Sequence, residues 1–489
     1  MNRDPLALSG QYFDLLVIGG GIFGASVARD AALRGLRVAL VEKSDFASGT
    51  SSRSSKLIHG GFRYLQQRDF RLVFEACRER HILRRTAPHL VRPLPFLFPI
   101  YQGGSISLTK LRLGMSLYDW LALRRNIATH RTVSAERVLM NEPSLSRQGL
   151  RGAVIFYDCQ EDDARFCVDQ VLHAAELGAS CINYCKLTGF VTREDRIVAA
   201  RVHDEVGSCM FEISARVFIN AAGPWVEQVC ALTPFDSCAA RLSPAKGIHL
   251  VMPRLTRQHA IVFEARSDRR ILFIVPWGEY SLLGTTDTNF DGDPDKARVE
   301  QAEVDYLLKE ARTLLPGAAL SESDVITSTV GIRAVALSTV PSPSARSREH
   351  RVVRTGQNLL SIIGGKYTTH RLIAQETVDA ACGLLGVPAP PCRTAEVSLP
   401  NRRPAAGGEK LSSAPEVYAS DIIHACQQEM VVTLEDVMRR RTPLALGRSG
   451  GPEVASQVAK IMAPLMGWND DEARAQFERY IEEWKHKVP

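Results

Sequence analysis

At 489 residues the chain is too long for a single hydrophobic core, so two or three domains are expected. With 45% hydrophobic and 23% charged residues the composition is that of an ordinary water-soluble protein, and a net charge of +6 gives no footing for nucleic-acid binding. Eleven scattered cysteines without a secretory leader pattern argue against a disulfide scaffold and for a reducing cytoplasm; no run of about 20 apolar residues offers a transmembrane helix, and no metal site is expected from the Cys/His spacing.

The chain opens with its most informative element. Leu15 to Ile18 are four apolar residues suited to a strand buried on both faces. Gly19, Gly21 and Gly24 follow with the G-x-G-x-x-G spacing. The first glycine permits the tight turn, the second lets backbone approach a pyrophosphate, and the third lets helix pack on strand. The helix N-terminus then offers N–H groups to phosphate. Glu42 closes the second strand, Val38 to Val41, where a carboxylate accepts hydrogen bonds from ribose hydroxyls. The segment from Ser44 to Lys56 is dense in hydroxyls, placed where a flavin chain would continue from adenosine toward the ring.

Residues 68–90 have helical periodicity, ended by Pro88 and by the proline-rich run Pro93 to Pro99. Residues 108–131 read as a basic amphipathic helix, with Leu111, Met115, Tyr118 and Trp120 beside Lys110, Arg112, Arg124 and Arg125. Such a helix suits either an anionic bilayer surface or packing against a sheet. A helix is predicted over 165–178, then a strand Val217 to Ile219 running into the small-residue turn Asn220 to Gly223. Residues 245–290 alternate as short strands, 299–315 form a helix, and Leu359 to Ile363 is a buried strand entering the turn Gly364-Gly365-Lys366. Residues 393–415 read as a linker and 416–489 as helical, with Asn469 and Glu472 marking the start of the last helix.

The run from Thr50 to Leu65, including Lys56, His59, Gly60, Gly61, Arg63 and Tyr64, resembles the signature of the FAD-dependent, respiratory glycerol-3-phosphate dehydrogenases, within the D-amino-acid-oxidase-like flavoprotein superfamily. Further blocks resemble the same family in order: Tyr157-Asp158-Cys159 with Asp162 to Arg165, Asn220 to Trp225, Lys246 to His249, Gly284 to Thr288, Gly331-Ile332-Arg333, Ser344 to His350, and Gly364 to Thr369. The chain departs from the family pattern at Ala334, where proline is usual. The resemblance implies an α/β fold: a Rossmann-like FAD-binding domain (12–95, 150–240 and 325–392) interleaved with a mainly antiparallel substrate domain (96–149 and 241–324), and a C-terminal helical domain (416–489). It implies oxidation of sn-glycerol 3-phosphate to dihydroxyacetone phosphate with electrons passed to a quinone, by a protein associated with the inner face of the cytoplasmic membrane. The alternatives are a same-fold enzyme acting on another hydroxy acid, polyol phosphate or amine, one using oxygen as acceptor, or a non-catalytic flavoprotein.

The expected cofactor set is Gly19, Gly21, Gly24, Glu42, Lys43, Thr50, Ser51, Ser52, Lys56, Leu57, His59, Gly223, Gly365, Lys366 and Thr368. Arg63, Tyr64, Thr286, Arg333 and Lys366 are expected to bind substrate, because arginine presents a planar fork to phosphate and lysine a compact charge. His59 is the base that takes the hydroxyl proton, a flavin contact, or a structural residue that is neither, with Lys366 or a water activated by Arg333 as rival bases. The C-terminal arginines 439–441 could pair with acids, contact lipid, or support a homodimer.

Overall fold

The computed structural model describes residues 3–61, 69–123, 125–235, 240–340, 346 and 349–485. The opening unit is β1 (Tyr12–Ile18), α1 (Ile22–Leu33) and β2 (Val38–Val41). Alternate residues of β1 serve two different cores: Leu15 and Val17 pack under helices on one face, Leu16 and Ile18 under strands on the other. This is why the strand reads as a continuous apolar run.

β1 pairs in parallel with β2 and with the second half of Cys209–Asn220. β2 continues in parallel to Ser180–Ile182, and Cys209–Asn220 to Leu359–Gly364, with His350–Thr355 antiparallel at the edge. The first half of Cys209–Asn220 pairs with the hairpin Cys185–Arg193 and Arg196–Asp204. Helices α1, Asp163–Glu176 and His370–Leu385 cover one face of this nucleotide sheet.

The second sheet is mainly antiparallel. It runs from Thr288–Asn289 through Ala245–Pro253, Tyr280–Gly284, Ile271–Trp277, Ala260–Glu264, Arg92–Tyr101 and Leu150–Gln160 to Leu57–Ile58, with Thr327–Arg333 beside Ala245–Pro253. Two of its strands were expected in the other half. Leu150–Gln160 pairs along its length with Arg92–Tyr101, and Thr327–Arg333 pairs with Ala245–Pro253. The run Pro93 to Pro99 is a strand rather than a helix stop. Its prolines 93, 95 and 99 all sit at odd positions, so their missing donors fall on one edge and the ladder along the other is intact.

Helix Gln301–Leu314 covers one face of this sheet; Phe70–Thr86 and Leu108–Leu121 cover the other. The last of these stops before the basic residues that follow. Its Leu111, Met115 and Tyr118 are buried, and Tyr118 donates to Asp158 Oδ1 (2.9 Å) while accepting from Arg80 Nη1 (2.9 Å). Tyr118 is therefore a core residue, whereas Leu113 and Trp120 are each 69% exposed.

The expected linker is packed chain. Leu399 is buried and its amide donates to Thr86 O (2.7 Å), and Thr394 is buried against Arg371. Beyond it, a hairpin of Lys410–Ser413 and Glu416–Tyr418 and the helices Ala419–Gln428, Pro452–Met466 and Asp470–Lys485 share their own core. The last helix is capped reciprocally: Glu472 N donates to Asn469 Oδ1 and Asn469 N to Glu472 Oε2. No described helix is long and apolar enough to cross a membrane.

Candidate active site

A cavity of about 1120 Å³ lies between the two sheets, at the C-terminal ends of β1 and β2 and beside Leu57 and Arg333 of the second sheet. Its floor is the glycine turn. Gly19 has φ +108°, and a Cβ there would stand 2.8 Å from Ala221 O. A Cβ on Gly24 would stand 1.9 Å from Gly19 O, so only glycine lets α1 lie this close to β1. Ser51 braces the turn by accepting from Ile22 N (2.9 Å). This Cβ-free cradle at a helix N-terminus, within a cleft of this size, fits a dinucleotide.

Glu42 accepts from Gly20 N (2.6 Å) and Ser44 N (2.9 Å), so each carboxylate oxygen is held by a backbone amide at the rim. Burial pushes its carboxyl above the usual range, and the two amides pull it back. Lys43 crosses the cleft: its Nζ lies 4.2 Å from the Trp225 ring centroid and 2.7 Å from Asp295. Thr50 Oγ1 donates to Ile332 O (2.6 Å), fastening the hydroxyl-rich loop to the second sheet.

At the far end of the cavity, His59 N donates to Thr368 Oγ1 (3.2 Å), which joins the loop to the turn carrying Gly365 and Lys366. A Cβ on Gly365 (φ +86°) would meet Ile373 and Phe23, so the turn is close-packed from behind. The Arg333 guanidinium lies over Gly247, where a Cβ would come within 2.4 Å of it. It donates to Asp287 Oδ1 (3.0 Å) and to Thr285 Oγ1 (2.9 Å).

Of the expected residues, Gly19, Gly21, Glu42, Lys43, Thr50, Ser51, Leu57, His59, Gly223, Arg333, Gly365, Lys366 and Thr368 line this one cavity. Gly24, Ser52, Lys56 and Thr286 do not. Gly24 acts from beneath, and Ser52 bonds back to Gly49 O within its own turn. Lys56 is turned inward into a buried ion pair with Asp163, under the Trp277 ring, because a buried ammonium needs a buried carboxylate. Thr286 is buried, donating to Glu303 Oε1 (2.9 Å) and accepting from Ile248 N (3.0 Å). Arg63 and Tyr64 lie outside the described residues.

Sequence reasoning passed over His249. It lines the cavity, is buried, and shares a 2.8 Å hydrogen bond between its Nε2 and Ser55 Oγ. Burial, then the charges of Arg333 and Lys56, push its pKa down to about 3, so it is neutral under physiological conditions. Its signal was the Lys246 to His249 block, which lacks the local glycine turn that made the other residues conspicuous.

A two-sheet fold with a glycine cradle and a hydroxyl-rich loop spanning the cleft defines a flavin-dependent oxidoreductase, and residues 14–376 match the family model described as FAD dependent oxidoreductase. Residues 392–473 match the C-terminal domain of alpha-glycerophosphate oxidase. The glycerol-3-phosphate dehydrogenase of Synechocystis sp. is 33% identical, over 96% of each chain. The mitochondrial glycerol-3-phosphate dehydrogenase of Macaca fascicularis is 32% identical over 98% of this chain and 75% of its own. Among solved structures, the glycerol-3-phosphate dehydrogenase from Bacillus halodurans complexed with FAD superimposes with a TM-score of 0.79 at 27% identity, covering 99% of this chain and 97% of that one. The chain belongs to the FAD-dependent glycerol-3-phosphate dehydrogenase family, and its cofactor is FAD.

Proposed function

We propose that the chain oxidises sn-glycerol 3-phosphate to dihydroxyacetone phosphate and passes the electrons to a quinone. The observation that carries this reading is the gathering of His59, Arg333, Lys366 and His249 in the same cavity as the glycine cradle and Glu42. Bound FAD supplies the two-electron acceptor that takes hydride from the secondary carbon. The protein's part is to hold the alcohol and move its proton.

Arg333 is preset for an anion: Asp287 and Thr285 fix the plane of its guanidinium, and Gly247 leaves it room to lie flat. With Lys366, and with Arg63 and Tyr64 of the family signature, it anchors the substrate phosphate. His59 takes the hydroxyl proton as the carbonyl forms, its backbone held by Thr368. His249, neutral and fixed by Ser55, is suited to hold the substrate oxygen by a hydrogen bond rather than by charge.

The test is anaerobic addition of sn-glycerol 3-phosphate to the purified holoenzyme, followed by absorbance near 450 nm. Bleaching is expected. Flavin reducible by dithionite but not by this substrate would sink the substrate assignment. Transfer to a quinone fits an enzyme seated on the inner face of the cytoplasmic membrane. The exposed pair Leu113 and Trp120, beside Lys110 and Arg112, supports seating there by an amphipathic surface. Sedimentation with anionic liposomes at low salt, lost in Trp120→Glu, is the expected outcome; a soluble fraction that ignores the liposomes would remove the membrane from the reading.

A further inference from the structure

The C-terminal domain reaches the cofactor cleft. Its Thr433, Glu435, Arg440 and Tyr480 line the cavity alongside Glu42, Asp45 and Arg53. The link runs through Asp45, wholly buried three residues beyond Glu42. Asp45 Oδ2 accepts from Arg440 Nε (2.5 Å) and Arg441 Nη1 (2.7 Å), and Oδ1 accepts from Arg441 Nη2 (2.8 Å) and Asn183 Nδ2 (3.0 Å). Arg441 thus grips Asp45 as a two-pronged fork.

Asn183 and Tyr184, which join the strand Ser180–Ile182 to the hairpin, hold both sides at once. Asn183 Nδ2 also donates to Met430 O (2.9 Å). The Tyr184 amide donates to Ser44 O (2.8 Å) and its phenol to Asp436 Oδ1 (2.7 Å), while Arg440 Nη2 reaches the same Asp436 oxygen (2.7 Å). Cys185 N donates to Glu42 O (2.7 Å). The backbone from Glu42 to Asp45 is therefore held between the hairpin and the C-terminal domain. Ions buried this deeply are tolerable only with every partner in place, so the cluster is either assembled or broken.

We propose that the C-terminal domain is a working part of the FAD site: its docking on Asp45 sets the Glu42–Asp45 turn that receives the adenosine end of the cofactor, so docking and FAD binding strengthen each other. Arg441 and Asp436, which do not line the cavity, are positioning residues. The coupling is reciprocal by thermodynamic necessity. It rests on FAD binding, not on the substrate assignment.

The experiment has two arms on the full chain. In the first, the FAD dissociation constant of Arg441→Gln is read from flavin fluorescence on titrating the apoprotein. A rise of about tenfold is expected, within the usual range of coupling between sites; an unchanged constant overturns the proposal, because a merely structural arginine would lower thermal stability and leave that constant alone. The second arm needs no variant: amide hydrogen exchange of the wild-type chain, apo and FAD-loaded. Loading should slow exchange at 429–441 as well as at 42–45. Protection at 42–45 with none at 429–441 also overturns it, and absence of protection at both would instead indict FAD binding itself.

Discussion

The two ends of the cleft are built differently. The nucleotide end is centred on one short stretch of chain: Gly19, Gly21, Gly24 and Glu42 lie within a single strand–helix–strand unit, which only Ala221 and the C-terminal domain approach from far along the sequence. The substrate end is collected from distant segments, with His59, His249, Arg333 and Lys366 brought together by both sheets. The first is rigid because backbone atoms touch. The second is exact only while hydrogen-bonded side chains such as Asp287, Thr285 and Ser55 hold their neighbours in line.

Substitutions should separate the two ends. The largest effect is expected for Gly24→Ala, since the new methyl cannot coexist with Gly19 O; overpacking of this kind costs about 1–3 kcal/mol or more, and purified protein should carry almost no flavin. A variant with full flavin content would refute the close-contact argument. Next, Arg333→Lys should keep wild-type flavin content and lower kcat/KM for glycerol 3-phosphate by about 100-fold, roughly what loss of a forked, charge-assisted contact allows. If flavin content fell in step with activity, the two ends would not be independent.

Acid should strike through buried histidines. His249 and His370 are each held near pKa 3 and His173 near 4, chiefly by burial. The unfolded chain binds their protons at about pH 6.5, so the stability from keeping them neutral is full above that pH and is lost as pH falls toward 3, by up to about 1.4 kcal/mol per pH unit for each. Melting temperatures between pH 7 and 4 should fall less steeply for His249→Asn than for wild type. His59→Asn should lower kcat/KM by about 100-fold, the low end of what a positioned general base contributes, with flavin content unchanged. The smallest effect is expected for Lys43→Ala: its pair with Asp295 is exposed, worth about 0–1 kcal/mol, and FAD release should quicken no more than a few-fold in stopped-flow fluorescence.

Legibility in the sequence followed the same division. Glycine spacing and the Asn469 cap are readable because their causes lie within a few residues, and Glu42 because a strand–helix–strand unit of ordinary length returns it to the glycine turn 22 positions back. Lys56 and Thr286 read as ligand contacts but turn inward to Asp163 and Glu303, partners separated from them by 107 and 17 positions that no local pattern announces. Leu150–Gln160, expected within the flavin-binding domain, pairs with Arg92–Tyr101, a neighbour that a strand's hydrophobic pattern does not name because it states burial alone. Of the three readings open for the arginines at 439–441, pairing with acids holds for all three: Arg439 with Glu435 one turn away, and Arg440 and Arg441 with Asp45 at the opposite end of the chain.

The strand Leu57–Ile58 is only two residues long, yet it stitches the hydroxyl-rich loop into the edge of the second sheet after that loop has left the first. Strands of the nucleotide sheet are drawn from Tyr12 to Gly364, and those of the second from Leu57 to Arg333, so the two are threaded through one another. No single cut can release either as a contiguous fragment. Truncation near residue 392, where the C-terminal family match begins, is no cleaner: it would strip Thr394 and Leu399 from the main body and leave the buried carboxylate of Asp45 without Arg440 and Arg441.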